Sequence, residues 1–510
     1  MGEIAQVLPH DEHNRTLIEN VHPAGYRNPA PAARYNLVVI GAGTAGLVTA
    51  AGAAGLGARV ALVEKNLLGG DCLNVGCVPS KAVIRASRAA AEVAGASKFG
   101  VEVPPGIKID FARAMERMRA IRARLSQHDS VERFTKELGV DVFLGEGRFT
   151  GEDAVEVNGA RLRYRRAVIA TGARAAEPPV PGLSEAGFLT NETVFSLVSR
   201  PRRLAVVGGG PIGSELAQAF QRLGCDVTLF HDRAHLLERE DPDAAAIVQQ
   251  ALLRDGVRLV LDAEIFRVER KGEEKLLRYR AGGGASDCVV DEILVGAGRQ
   301  PNVEGLELER VGVAYDPKSG VRVDDRLRTT NPRIFAAGDV CMAWKFTHAA
   351  DFAARIVIQN ALFPSFSGGR KLSTLNMPWC TYTEPEIAHV GLYEHEAVAK
   401  GIAVTTFLRP FSEVDRALCD GEEDGFVKIH VRKGSDEIVG ATIVAQHAGD
   451  MISEVSVAMA GKLGLSRLAN VIHPYPTQAE AIRQIGDLYN RTRLTPFVKA
   501  LFQGWLRWTR

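Results

Sequence analysis

No stretch of this chain stays apolar long enough to cross a bilayer as a helix. The opening MGEIAQVLPHDEHNRT lacks the basic segment and apolar run of a signal peptide, so a cytoplasmic location is expected. Cysteine is scarce, with 7 among 510 residues, too few and too scattered for a secreted disulfide framework. In a reducing compartment, a close cysteine pair then points to catalysis. Charge of either sign is not in excess: 62 Lys+Arg against 61 Asp+Glu leave +1, which calls for no nucleic-acid partner. The 51 glycines follow no fixed period, which excludes a collagen-like repeat. Several of them cluster after apolar runs, as in phosphate-binding turns.

A chain of this length exceeds one compact core and implies several domains. Its first segment, through Arg34, is polar and proline-bearing and reads as an extended arm. YNLVVI, a glycine turn, an alanine-rich run and ARVALVE then make a β-α-β unit. In the turn, Gly41 permits the tight bend, Gly43 lets backbone approach a pyrophosphate, and Gly46 lets helix and strand pack closely. The following helix offers its N-terminal amides to the diphosphate, and Glu64 ends the second strand where a carboxylate meets ribose hydroxyls. RLAVVGGGPIGSELAQAF repeats the pattern with Gly208, Gly210 and Gly213. There His231 stands in the acid's place and Arg233 is suited to a 2′-phosphate, which favours NADPH; the intervening Asp232 keeps NADH possible. From Lys371 onward, alternating patterns such as FVKIHVR predict an antiparallel sheet with helices.

Gly69-Gly-Asp-Cys72-Leu-Asn-Val-Gly-Cys77-Val-Pro-Ser-Lys81 is the chemically distinctive stretch. Two cysteines five positions apart, flanked by glycines and followed by a helix, suit an accessible disulfide. A helix N-terminus stabilises a thiolate, so one sulfur is expected to stay ionised near neutral pH. The alternatives are two buried thiols acting as small hydrophobes, or a zinc site. No second Cys or His pair stands at ligand spacing for zinc.

This stretch resembles the active-site signature of the class I pyridine nucleotide–disulfide oxidoreductases, which include dihydrolipoamide dehydrogenase, glutathione reductase and mercuric reductase. Four motifs agree in order: Gly41–Gly46, the cysteine segment, Gly208–Gly213 and Ala336-Ala-Gly-Asp339. The resemblance implies an α/β fold with two Rossmann-like dinucleotide-binding domains, for FAD and NAD(P), and an α+β dimer-interface domain. The implied boundaries are an arm 1–34, a FAD domain 35–182 and 301–370 split around a nicotinamide domain 183–300, an interface domain 371–490, and a tail 491–510. It further implies that Asp339 binds the flavin ribityl chain, with Gly172 after AVIAT also at the cofactor. Lys81 would lie near the flavin N5, Cys77 would face the flavin, and Cys72 would exchange with substrate. The implied partner is a second copy of the chain.

His473-Pro-Tyr475-Pro-Thr-Gln-Ala-Glu480 resembles the family's dimer-interface motif, with one departure. The catalytic histidine of lipoamide and glutathione reductases is Tyr475 here. Imidazole titrates near about 6.5 and shuttles protons at neutral pH, whereas phenol titrates near about 10. Tyrosine at this place resembles the mercuric reductases, where soft thiolates capture a thiophilic ion that needs electrons but no imidazole proton. The implied reaction is reduction of Hg(II) held transiently by Cys72, Cys77 and Tyr475, with Tyr475 and Glu480 supplied by the partner. The chain departs from many mercuric reductases in lacking both a terminal cysteine pair and a cysteine-bearing N-terminal domain. Pro211 stands where lipoamide and glutathione reductases carry a tyrosine. The alternative acceptors are a low-molecular-weight disulfide or another oxidant, and the alternative role is a flavin redox sensor. The tail from Leu494 to Arg510 is amphipathic, a pattern used more often to dock on the protein's own dimer than on a membrane surface.

Overall fold

The computed structural model describes residues 7–363 and 368–510. It divides into two compact units. One comprises Met1–Gly209, Ala219–Asp232 and Asp262–Leu375, and the other Gly210–Gln218, Arg233–Leu261 and Asn376–Arg510. The segment expected as the nicotinamide domain, 183–300, contributes to both units.

In the first unit, the apolar runs YNLVVI and VALVE form strands Tyr35–Ile40 and Val60–Glu64, buried almost throughout. Near-continuous apolar strands of this kind belong to parallel sheets covered on both faces. They pair in parallel, Leu37 opposite Val60. Asp141–Leu144 lies beyond Val60–Glu64, and Ala160–Ile169 flanks Tyr35–Ile40 on the other side. Ile334–Ala336 joins Ala160–Ile169. Tyr35 meets Phe143, and Phe149 meets Tyr164, in edge-on ring contacts within the core beneath this sheet. A second parallel ladder sets Arg203–Val207 between Asp226–Phe230 and Glu292–Val295. Strands Glu264–Lys271, Glu274–Ala281 and Gly284–Val290 form an antiparallel meander.

The expected extended arm is corrected by the structure. Residues 1–6 lie outside the described residues, but Glu12–Val21 is a helix that buries Asn14, Leu17 and Val21. The polar composition misled because its polar groups are the packing contacts. Asp11 caps the helix, accepting from the Asn14 amide at 2.8 Å, and its other oxygen meets Arg119 Nε at 2.5 Å. Buried Arg122 donates from one nitrogen to Asn14 Oδ1 at 2.6 Å and from the other to the Asn74 carbonyl at 2.7 Å. Burial lowers its pKa to about 10.

In the second unit, five antiparallel strands run in the spatial order Pro378–Thr381, Glu386–Gly391, Ile438–Ala445, Phe426–Arg432, Val404–Pro410. Helices Ala448–Ala460 and Glu480–Thr492 share the core of this sheet. The expected α+β organisation from Lys371 onward is what this sheet and its helices show.

Leu17→Ala is expected to lower stability by about 2–5 kcal/mol through a buried cavity. A solvated arm would tolerate it within about 0.5 kcal/mol. Comparing unfolding midpoints of variant and parent decides between these.

Candidate active site

The cysteine pair is seated by a close approach of two backbone segments. Gly70 has φ +55°, and a Cβ there would stand 2.5 Å from Gly43 Cα, so only glycine lets the cysteine segment lie on the first glycine turn. Cys72 falls in the short helix Gly70–Asn74, and Cys77 is the first residue of the long helix Cys77–Ala94. Asn74, between them, donates to the carbonyls of Leu68 at 3.0 Å and Gly70 at 2.8 Å while accepting from Arg122. The short segment between the sulfurs is therefore held from both sides.

The two sulfurs have different surroundings. Cys72 is half-buried, and its hydrogen bond with Cys77, then burial, then the charge of Cys77 push its pKa far above the usual thiol range. Cys77 is exposed at the helix N-terminus, 3.1 Å from the Thr347 hydroxyl. Negative charge is best accommodated there. Helix placement thus makes Cys77 the better seat for negative charge, while the Cys72 thiol is held well above its usual range. Lys81 follows Cys77 by one helical turn, and both line an open cleft of about 410 Å³ together with Arg85 and Arg117.

The first glycine turn fits a dinucleotide. Gly41 has φ +102°, and a Cβ there would lie 2.3 Å from the Ala170 carbonyl oxygen. The turn leads into helix Thr44–Gly55, whose first amides point to the loop. Glu64 accepts from the amides of Ala42 at 2.6 Å and Asn66 at 2.8 Å, and its burial raises its pKa. Gly172 carries φ +67° and accepts from the Asn302 amide at 3.0 Å. Asp339 is largely buried, which raises its pKa against the opposing pull of Arg299, whose Nε lies 3.2 Å from its carboxylate. Arg299 also pairs with Asp71, next to Cys72. A buried carboxylate held by one arginine, beside a loop closed to side chains, suits a polyhydroxyl chain with a diphosphate.

Arg299, Arg122 and Thr347 escaped the motif reading. Each lies far from the cysteines in sequence, in no recognisable spacing, and only the fold brings it near.

The second turn repeats the first in a telling way. It joins strand Arg203–Val207 to helix Pro211–Arg222, so Gly208 and Gly210 precede the helix and Gly213 lies inside it. The Gly209 amide donates to His231 Nδ1 at 3.2 Å, as the Ala42 amide donates to Glu64. His231 is buried, and its Nδ1 also lies 3.5 Å from the Asp232 carboxylate. Arg233 is exposed.

Tyr475 is 71% exposed, and its hydroxyl donates to Asp415 Oδ2 at 2.9 Å, which raises the phenol pKa. His473, two positions earlier, turns away: its Nε2 lies 2.9 Å from Glu454 Oε1 and its Nδ1 3.0 Å from the Val471 carbonyl. Glu480 accepts from Arg483 at 2.7 Å. Among the other cysteines, Cys225 and Cys288 are buried, and burial pushes the Cys341 thiol up to about 12.

Residues 35–354 match the pyridine nucleotide-disulphide oxidoreductase family, and residues 377–485 match its dimerisation domain. The chain is 34% identical to mercuric reductase of Staphylococcus aureus, over 88% of this chain and 81% of that one. It is also 34% identical to dihydrolipoyl dehydrogenase of Thermus scotoductus, over 90% and 98%. Among solved structures, the HOCl-induced flavoprotein disulfide reductase RclA from Escherichia coli superposes with TM-score 0.79 at 27% identity, covering 89% of this chain and all of that one. LpdA from Mycobacterium tuberculosis gives TM-score 0.80, also at 27% identity, covering 89% and 99%. With two glycine turns, a cysteine pair at a helix start and these likenesses over most of its length, the chain belongs to the FAD-dependent, NAD(P)H-using pyridine nucleotide–disulfide oxidoreductases.

Proposed function

We propose that this oxidoreductase takes electrons from NADPH and delivers them through the Cys72–Cys77 pair to a thiophilic metal ion, Hg(II) foremost. The observation that carries this reading is the Tyr475 phenol, hydrogen-bonded to Asp415 in the position where disulfide-reducing relatives hold a proton-shuttling imidazole. A phenol with a raised pKa stays protonated at neutral pH and cannot act as a base there. On this reading, the partner subunit's phenol would offer a neutral oxygen to the two soft sulfurs. The nearest histidine in sequence is committed to Glu454. The mercuric reductases among the relatives support the same acceptor.

Bound FAD would be held by the Gly41–Gly46 turn, Glu64, Gly172 and Asp339, with Lys81 near its reactive ring, and would supply the two-electron relay between nicotinamide and sulfur. Opening the Cys72–Cys77 bridge consumes two electrons and leaves a thiol at Cys72 and a thiolate at Cys77. Both sulfurs then bind the metal ion as thiolates, releasing the Cys72 proton; the two electrons given up as the sulfurs re-form their bridge pass to Hg(II), which leaves as Hg(0). The chain works as a homodimer in which Tyr475 and Glu480 of the partner subunit complete the site, a reading supported by the dimerisation-domain match. NADPH is the preferred donor because His231 replaces the acid that would repel a 2′-phosphate, and exposed Arg233 offers it a cation.

A second reading has a specific support. One structure similar to this chain is the Cu(II) complex of the flavoprotein disulfide reductase RclA. The acceptor here is then another thiophilic cation or a small disulfide.

Steady-state NADPH oxidation with Hg(II) in excess thiol should outpace lipoamide, glutathione disulfide and Cu(II) by at least about tenfold in kcat/KM. Faster turnover with any of those would reassign the acceptor. Cys72→Ala and Tyr475→Phe chains, each impaired alone, should recover about a quarter of parental turnover when mixed and reassembled. Half of the dimers are then mixed, and each mixed dimer has one intact site. Recovery no better than either parent means the site is not shared. His231→Glu should lower the NADPH/NADH ratio of kcat/KM by about tenfold or more; an unchanged ratio removes His231 from cofactor choice.

A further inference from the structure

The helix Pro496–Trp508 lies outside both segments that match the family, and none of its residues is buried. Local signals set it rather than packing. Pro496 opens it, and the Thr495 hydroxyl accepts from the Val498 amide at 3.3 Å. At helical spacing, Phe497, Leu501, Trp505 and Trp508 share one face, which Val498, Phe502 and Leu506 widen. Lys499, Gln503 and Arg507 fall together on the narrow opposite strip. Phe497 and Trp508 are each 78% exposed, and the rings of Trp505 and Trp508 sit 5.2 Å apart.

Charge distinguishes what can cover this face. From Leu488 to Arg510 there is no Asp or Glu, while Arg491, Arg493, Lys499, Arg507 and Arg510 are all basic, in a chain whose total is only +1. We propose that this helix lies flat in the headgroup layer of an anionic bilayer, with its aromatic face in the acyl boundary and its cations at the lipid phosphates. Thirteen residues give about 20 Å of helix, too short to span the hydrocarbon core. Among the described residues no helix is long and apolar enough to cross a membrane. The arrangement instead matches an interfacial helix: a wide apolar arc, tryptophans whose ring bodies are apolar and whose N–H is polar, and long cationic chains that extend back to water. A second copy of the same helix would cover the apolar arc but leave the cations of this segment without a counter-charge, because the segment carries no carboxylate. The bilayer supplies both missing complements, apolar depth and negative charge.

The full chain, loaded with FAD, should co-sediment with vesicles of mixed phosphatidylglycerol and phosphatidylcholine, with a blue shift of tryptophan emission. Binding to pure phosphatidylcholine, or at high salt, should be on the order of tenfold weaker. Phe497→Glu with Trp505→Glu should abolish binding, and Lys499→Gln with Arg507→Gln should weaken it by about tenfold or more. Neither pair should change NADPH oxidation or the sedimentation-equilibrium mass. Absence of binding to anionic vesicles, or equal binding to both lipids, overturns the proposal. A fall in mass for Phe497→Glu with Trp505→Glu overturns it too, by assigning the face to a second copy.

Discussion

The approach of Gly70 to Gly43 is the constraint from which the chemistry of the first unit follows. Two backbones meet at a separation that no side chain permits. The segment bearing Cys72 and Cys77 is thereby laid against the first glycine turn, the one proposed to receive a diphosphate. The consequences reach further along the chain. Asp71, beside Cys72, meets Arg299, and Arg299 meets Asp339, so the sulfurs and the buried carboxylate share one cation. Asn74 fixes the loop between the cysteines through Leu68, Gly70 and Arg122. Redox chemistry at sulfur needs attacking atoms in a fixed line, and these contacts supply that rigidity.

The two glycine turns carry the same device with different charge. In each, the second residue of the turn donates its amide to the residue ending the next strand: Ala42 to Glu64, and Gly209 to His231. The geometry is therefore duplicated while the acceptor changes from carboxylate to imidazole. On the proposed reading, that exchange of acceptor within the same hydrogen bond changes which nucleotide charge is tolerated without altering the turn. The helix starts make a similar distinction at the sulfurs. Cys77 opens the long helix Cys77–Ala94 while Cys72 lies in a five-residue one, and the half-buried Cys72 thiol has its pKa raised beside it.

Much of this was readable from local patterns. The strand-turn-helix units, the cysteine pair and the antiparallel sheet after Lys371 rest on spacings of a few residues, and hydrophobic periodicity and glycine placement report such spacings faithfully. The first helix was misread because Asp11, Asn14 and Asn20 looked like solvent-seeking residues. They bond instead to Arg119, Arg122 and Ser126, a relation that composition cannot express.

The sequence by itself determined the family, and it supplied the cysteine pair and the Tyr475 position on which the proposed chemistry rests, because each is a matter of residue type at short spacing. Tertiary structure alone decided that Thr347 lies at Cys77, that Arg299 joins Asp71 to Asp339, and that His473 is committed to Glu454. Those relations depend on which distant segments the chain packs together. A one-dimensional pattern records spacing along the backbone and carries no distance across the core.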